Sequence, residues 1–170
     1  MLITKRDGRQ ESVKLDKITV RLEKLAEGLD PNHVDPVRVA IKVVEGLYEG
    51  VSTVELDNLA TEIAATMTTQ HPDYALLASR IAISNLHKAT TPSFSEAITT
   101  LYQYVNPHTG QNAALISESV YGVVKAHAET LDAAIDHERN FLLDFFGFKT
   151  LERSYLMRAN GKVGERPQHM

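Results

Sequence analysis

Apolar residues recur at a helical spacing through most of this chain, and breaker residues divide them into segments. Ile18, Leu22 and Leu25 form the first stripe, predicting a helix over about 17–27 that stops at Gly28, a residue suited to the left-handed position after a helix. Asp35-Pro36 reads as a helix start, a capping carboxylate followed by proline at the first helical position. The second helix carries Val39, Val43, Val44 and Leu47 on one face and ends near Gly46–Gly50. Ser52-Thr53-Val54-Glu55 is a capping-box pattern. It opens a third helix with Leu56, Leu59, Ala60, Ile63 and Met67 inward. His71-Pro72-Asp73 interrupts the pattern, and a fourth helix, about 74–88, has Leu77 and Ile81 as core. Before all of these, Leu2-Ile3-Thr4 and Ser12-Val13-Lys14-Leu15 flank Asp7-Gly8, a strong hairpin signal. Asp16 then stands where the N-cap of the first helix belongs.

Beyond residues 89–93, taken as a domain boundary, Ser93–Glu96 repeats the capping-box pattern ahead of Ile98, Leu101 and Tyr104. Residues 117–134 read as one or two helices with Val120, Val123, Val124 and Leu131 inward. Residues 141–148 (FLLDFFGF) form a dense aromatic stretch expected to be core. Asn160-Gly161 marks a second hairpin turn. The resulting class is mainly α, with an N-terminal β-hairpin over a four-helix bundle and further helices behind it.

Composition narrows the possibilities. With 43% hydrophobic and 24% charged residues in 170, the chain can bury a core. There is no apolar run near the length of a membrane span and no apolar signal core at the N-terminus, so the expectation is a cytoplasmic protein without membrane contact. The absence of cysteine removes disulfides, thiolate metal sites and cysteine redox chemistry from this chain. The seven histidines show no spacing that marks a metal site. A net charge of −4 argues against general nucleic-acid binding.

Charge is concentrated in one place. Residues 5–17 (KRDGRQESVKLDK) hold Lys5, Arg6, Arg9, Lys14 and Lys17 against Asp7, Glu11 and Asp16, a local +2 in a chain whose remainder carries −6. A basic hairpin leading into a helix N-terminus gathers cations and backbone N–H groups, an arrangement suited to phosphate. Charged hairpins also serve as plain edge protection. Thr53 and Asp57 lie one helical turn apart on the third helix, and Lys88 lies at the end of the fourth. Taken one at a time, each has a simpler role: Thr53 in helix initiation, Asp57 and Lys88 in offsetting helix dipoles. No GxxxxGK[ST] loop is present, which excludes a P-loop ATPase.

TKRDGRQESVKLDKI resembles the opening of the ATP-cone, the nucleotide-sensing domain at the N-terminus of many ribonucleotide reductase large subunits. The resemblance continues through VDPVRVAIKVVEGLYEGVSTVELDNLATEIAA and HPDYALLASRIAISNLHK. FFGFKTLERSYL, NGKV and ERPQHM resemble the class I large subunit of the eukaryotic type, beyond the cone. It is weakest over about 107–140, and Gly164 and the run His137–Asn140 depart from the family pattern.

The resemblance implies an ATP-cone over 1–89, and over 90–170 the N-terminal helical segment of the large subunit, whose α/β barrel with its radical cysteines is not in this sequence. It implies an allosteric site for ATP or dATP, probed by residues that match the family's pattern. Lys5, Arg6, Lys17 and Lys88 would face phosphates. Glu11, with the backbone of Ser12, Val13, Lys14, Leu15 and Asp16, would read the adenine, and Thr53 and Asp57 would lie at the sugar and phosphate side. Mg²⁺ would accompany the triphosphate without an identifiable ligand set. No catalytic residue is expected here. Partners would be adenine nucleotides, the rest of the large subunit, other copies of it, and a small radical-generating subunit. Two other readings stay open: a stand-alone nucleotide-sensing regulator, though without the cysteines of a zinc ribbon, and a structural helical domain with a degenerate site.

Overall fold

A computed structural model of the chain describes residues 2–170, which divide into two compact units. The first comprises the described residues to 85 together with 143–148, and the second residues 86–142 and 149–170.

In the first unit, β1 (Leu2–Thr4) and β2 (Gln10–Ser12) pair antiparallel, Leu2 opposite Ser12 and Thr4 opposite Gln10. The hairpin loop is longer than the Asp-Gly signal suggested. Lys5 N donates to Arg9 O at 2.8 Å and Gly8 N to Lys5 O at 3.0 Å, which leaves Arg6-Asp7-Gly8 as a three-residue loop. Gly8 takes φ +84°, the left-handed position such a loop requires. Arg9 donates to Asp7 from both its backbone N and its Nε, tightening the turn. The second strand therefore ends at Ser12, and helix α1 (Leu15–Leu25) begins earlier than expected. Its N-cap is Lys14, which supplies no side-chain hydrogen bond, and Asp16 lies inside the first turn rather than at the cap. There its charge still complements the helix dipole.

The other helix starts follow their sequence signals. Asp35 accepts from the N–H groups of Val37 and Arg38 to begin α2 (Pro36–Glu45). Ser52 and Glu55 form a reciprocal capping box on α3 (Thr53–Thr66). Helix α4 (Asp73–Ala89) follows, its residues to Asn85 lying in this unit. Strand β1 is also pinned to the segment that leads into α3: Thr4 N donates to Val51 O at 2.9 Å and Gly50 N to Leu2 O at 3.0 Å. That tie sets the hairpin across the N-terminal end of α3.

The core of this unit joins one face of each helix. Leu22, Val39, Val43, Ala60, Ala64, Leu77 and Ile81 are buried in one cluster with Ile3 of the hairpin. Tyr74, 1% exposed, spends its hydroxyl as acceptor for Asp35 N at 3.0 Å. Arg80 donates to Leu25 O and Glu27 O at 2.9 and 2.7 Å, so a cation from α4 satisfies carbonyls left over at the C-terminus of α1. The returning segment 143–148 contributes too. Phe145 packs against the cluster, and Ser79 Oγ donates to Leu143 O at 2.6 Å. The aromatic stretch is only partly core, however: Phe148 is fully buried, but Leu142 and Phe146 are each 80% exposed.

The second unit holds α5 (Phe94–Tyr102), α6 (Glu118–Ala126), α7 (Ala128–Ala134), the rest of α8 (Phe145–Ser154) and a small hairpin. That hairpin pairs β3 (Arg158–Ala159) with β4 (Lys162–Val163) through Asn160 and Gly161, both at positive φ. Ser93 caps α5 through Glu96 N, but Glu96 spends its carboxylate on Thr91 Oγ1 rather than completing a box. Asp132 of α7 accepts from Ser95 N, Ser95 Oγ and Ser93 Oγ at 2.8–2.9 Å, binding α7 to the start of α5. Arg166 is buried and donates to His87 O, Thr90 O and Thr90 Oγ1. Beside it, His137 meets His87 and His169 edge-on at 5.9 and 5.2 Å.

Two outcomes follow from this packing. Leu77→Ala empties a fully buried position and should lower the unfolding free energy by about 2–5 kcal/mol, read from chemical denaturation. Burial, reinforced by neighbouring cationic groups, holds His87 and His169 down to about 4. The unfolded chain, with histidines near 6.5, therefore takes up protons first on acidification. This contribution to stability is complete above about pH 6.5 and is lost as the pH falls towards about 4. The thermal midpoint should decline across that window, with a shallower slope in His169→Gln.

Candidate functional site

The basic stretch folds around a cleft in the first unit. Its cationic and polar rim is Lys5 from the hairpin, Glu11, Ser12, Val13 and Lys14 from β2 and the link to α1, Lys17 and Arg21 from α1, and Thr53 at the start of α3. Its floor is apolar, made by Ile3, Ile18, Leu22, Leu56 and Ala60. An apolar floor under a ring of cations suits a ligand with an aromatic base at one end and negative charge at the other.

Glu11 organises the rim. Lys17 Nζ donates to Glu11 Oε1, and Lys5 Nζ lies 3.1 Å from Glu11 Oε2. The hydrogen bond from Lys17, then that from Lys5, holds the Glu11 carboxyl down to about 2. The carboxylate thus stays ionised at any pH near neutrality and holds both ammonium groups at the rim. With these pairs in place the cleft encloses only about 100 Å³, against roughly 300–1,000 Å³ for drug-sized ligand pockets.

A second network lies behind the rim. Asp57 is 3% exposed and receives Arg6 Nη2 at 3.0 Å on one oxygen and Arg21 Nη1 on the other. Arg21 also donates to Asn85 Oδ1 at 2.6 Å and Ser84 Oγ at 3.3 Å, and Thr61 Oγ1 donates back to Asp57 O at 3.0 Å. The hairpin, α1, α3 and α4 are therefore joined through a single carboxylate. Charged groups of this kind are tolerated in an interior only when paired and hydrogen-bonded.

Of the residues singled out from sequence, the structure brings Lys5, Glu11, Ser12, Val13, Lys14, Lys17 and Thr53 to the cleft. Leu15 and Asp16 form the first turn of α1 beside it. Arg6 and Asp57 are not among its lining residues but are joined to each other next to it. Lys88 lies at the end of α4, in the second unit. Arg21 was missed. It reads as an ordinary polar position on α1, and only the burial of Asp57, a carboxylate on the inner side of α3, signals the need for a cation opposite.

The ATP cone domain family matches residues 1–89. The chain belongs to the ATP-cone family. Over its whole length it is also similar to the ribonucleoside-diphosphate reductase large chain of Schizosaccharomyces pombe, at 59% identity over 170 residues, 100% of this chain and 21% of that protein. The Caenorhabditis elegans large subunit is 56% identical over 168 residues, 99% of this chain and 21% of that protein. The Vaccinia virus large subunit is 54% identical over 170 residues, 100% of this chain and 22% of that protein. This ATP-cone chain spans about a fifth of the length of these relatives. Among its described residues no helix is long and apolar enough to cross a membrane.

Removing the shared carboxylate isolates two guanidinium groups. Asp57→Ala should cost about 3 kcal/mol of stability, the lower end for breaking a buried pair because both arginines keep some solvent. Denaturant unfolding of the variant measures it.

Proposed function

We propose that the cleft is an adenine-nucleotide effector site and that the chain is the activity-control segment of a ribonucleoside-diphosphate reductase large subunit. The observation that carries this reading is the ring of Lys5, Lys14, Lys17 and Arg21 over an apolar floor, within the residues that match the ATP cone. In this reading Lys5 and Lys17 leave Glu11 for the phosphates, which opens the cleft. Glu11 is then released to accept from the adenine amino group, next to the backbone of Ser12, Val13 and Lys14. Thr53 faces the sugar. Arg21 adds a guanidinium to the phosphate side, and Asp57 acts through Arg21 and Arg6 by fixing where they point.

The parent reaction would be reduction of ribonucleoside diphosphates to deoxyribonucleotides in the cytoplasm, with ATP favouring the active state and dATP the inactive one. Residues 90–170 would be the opening helical segment of the large subunit. The rest of that subunit, further copies of it and a small radical-generating subunit would be its partners. Mg²⁺ would arrive with the triphosphate. The thiols that the chemistry needs would come from outside this sequence, which has none.

ATP and dATP differ by one hydroxyl, worth about 0.5–1.5 kcal/mol when well bonded, so the two ligands should differ more in the pose they impose than in affinity. Asp57→Asn should keep binding of both within about tenfold, or ~1.4 kcal/mol, while narrowing the distinction between them. Lys5→Ala should weaken both alike. Calorimetric titration of each variant with each nucleotide is the measurement. Loss of all binding in Asp57→Asn, or none in Lys5→Ala, would overturn the assignment.

A further inference from the structure

At the ends of α1 and α3 remote from the cleft, two loops bring together three side chains that ligate metals. Asp30 and His33 come from the connection between α1 and α2, and His71 from the turn between α3 and α4. One ligand atom from each of the three lies within 4.8 Å of the others. The His33 and His71 rings are stacked, centroids 4.7 Å apart and 12° from parallel.

The loops that present them are fixed to each other and within themselves. Asp30 N donates to Asp73 Oδ2 at 2.9 Å, which ties the first loop to the start of α4. Asn32 N donates to Asp30 Oδ1 at 2.9 Å, and His33 Nδ1 lies 2.9 Å from Asp30 Oδ2. On the other loop, His71 Nδ1 accepts a long 3.3 Å contact from Asp73 N.

We infer that Asp30, His33 and His71 form a surface site for a divalent transition metal of the zinc class. Two imidazoles and one carboxylate favour Zn²⁺, Ni²⁺ or Cu²⁺ over Mg²⁺ and Ca²⁺, which take oxygen ligands. Zn–N and Zn–O bonds near 2.0–2.2 Å place tetrahedral ligand atoms roughly 3.3 Å apart. The donors furthest apart, at up to 4.8 Å, therefore need to close by at most about 1.5 Å to reach it. His33, with 59% of its side chain exposed, has the freedom to make that adjustment. Three protein ligands leave the fourth position to water. The bound ion would staple the α1–α2 loop to the start of α4.

Titration of the purified chain with Co²⁺, followed by visible absorption, and then with Zn²⁺ tests the site. The expected result is one Co²⁺ per chain with tetrahedral absorption bands, displaced by Zn²⁺ and indifferent to millimolar Mg²⁺. His33→Ala, at an exposed position that leaves the helical circular dichroism intact, and His71→Ala should each weaken binding at least about tenfold. Absence of bands and of Zn²⁺ retention at about 100 µM metal would overturn the proposal. So would unchanged affinity in His33→Ala, since the metal would then sit on other histidines.

Discussion

Burying a carboxylate costs several kcal/mol unless charges and hydrogen bonds meet it, and Asp57 is met on both oxygens by guanidinium groups from different elements. Arg6 reaches it from the hairpin and Arg21 from α1, while Asn85 and Ser84 of α4 hold Arg21 from behind. Four pieces of chain that are far apart in sequence must agree on one position for this to be satisfied. A shared carboxylate allows little slip between them, because added separation weakens the attraction that offsets the cost of burying the charge. The placement of the hairpin over the bundle, and hence the shape of the cleft, depends on this junction.

The cleft itself is built from ion pairs of a looser kind. Glu11 with Lys5 and Lys17 stays near solvent, where such pairs are worth little to stability and exchange partners easily. The structure thus places a tight, buried charge cluster directly behind a soft, exposed one. The first fixes the frame and the second can be rearranged by a ligand that carries its own charge, without the frame moving.

Much of the fold was legible because it is set by local chemistry. Asp35-Pro36, Ser52 with Glu55, and Asn160-Gly161 act within four residues, and each appears where its pattern places it. The cationic stretch was equally legible, since charge density survives any folding. What escaped were features decided by tertiary partners. Asp16 has the chemistry of an N-cap, yet the hairpin register starts α1 two residues earlier than the sequence stripe indicates. Arg21 has no local signature at all; its role comes from Asp57, 36 residues away. Arg80 likewise looks like a surface cation on α4 and proves to close the end of α1. Phe146 and Phe148 are alike in sequence, and only the helix that carries them separates an exposed ring from a buried one.

The return of residues 143–148 to the first unit has a consequence for how this segment can be handled as a module. The boundary that the family match draws after residue 89 is a boundary of ancestry and not of packing. A piece cut there would keep every helix of the bundle, yet it would lose Phe145 from the edge of the core and the Leu143 carbonyl that accepts from Ser79. The excised domain would carry a hydroxyl, 1% exposed in the intact chain, with its acceptor gone and a strip of apolar surface newly wetted. The autonomy of the bundle is therefore borrowed in part from six residues encoded more than fifty positions downstream.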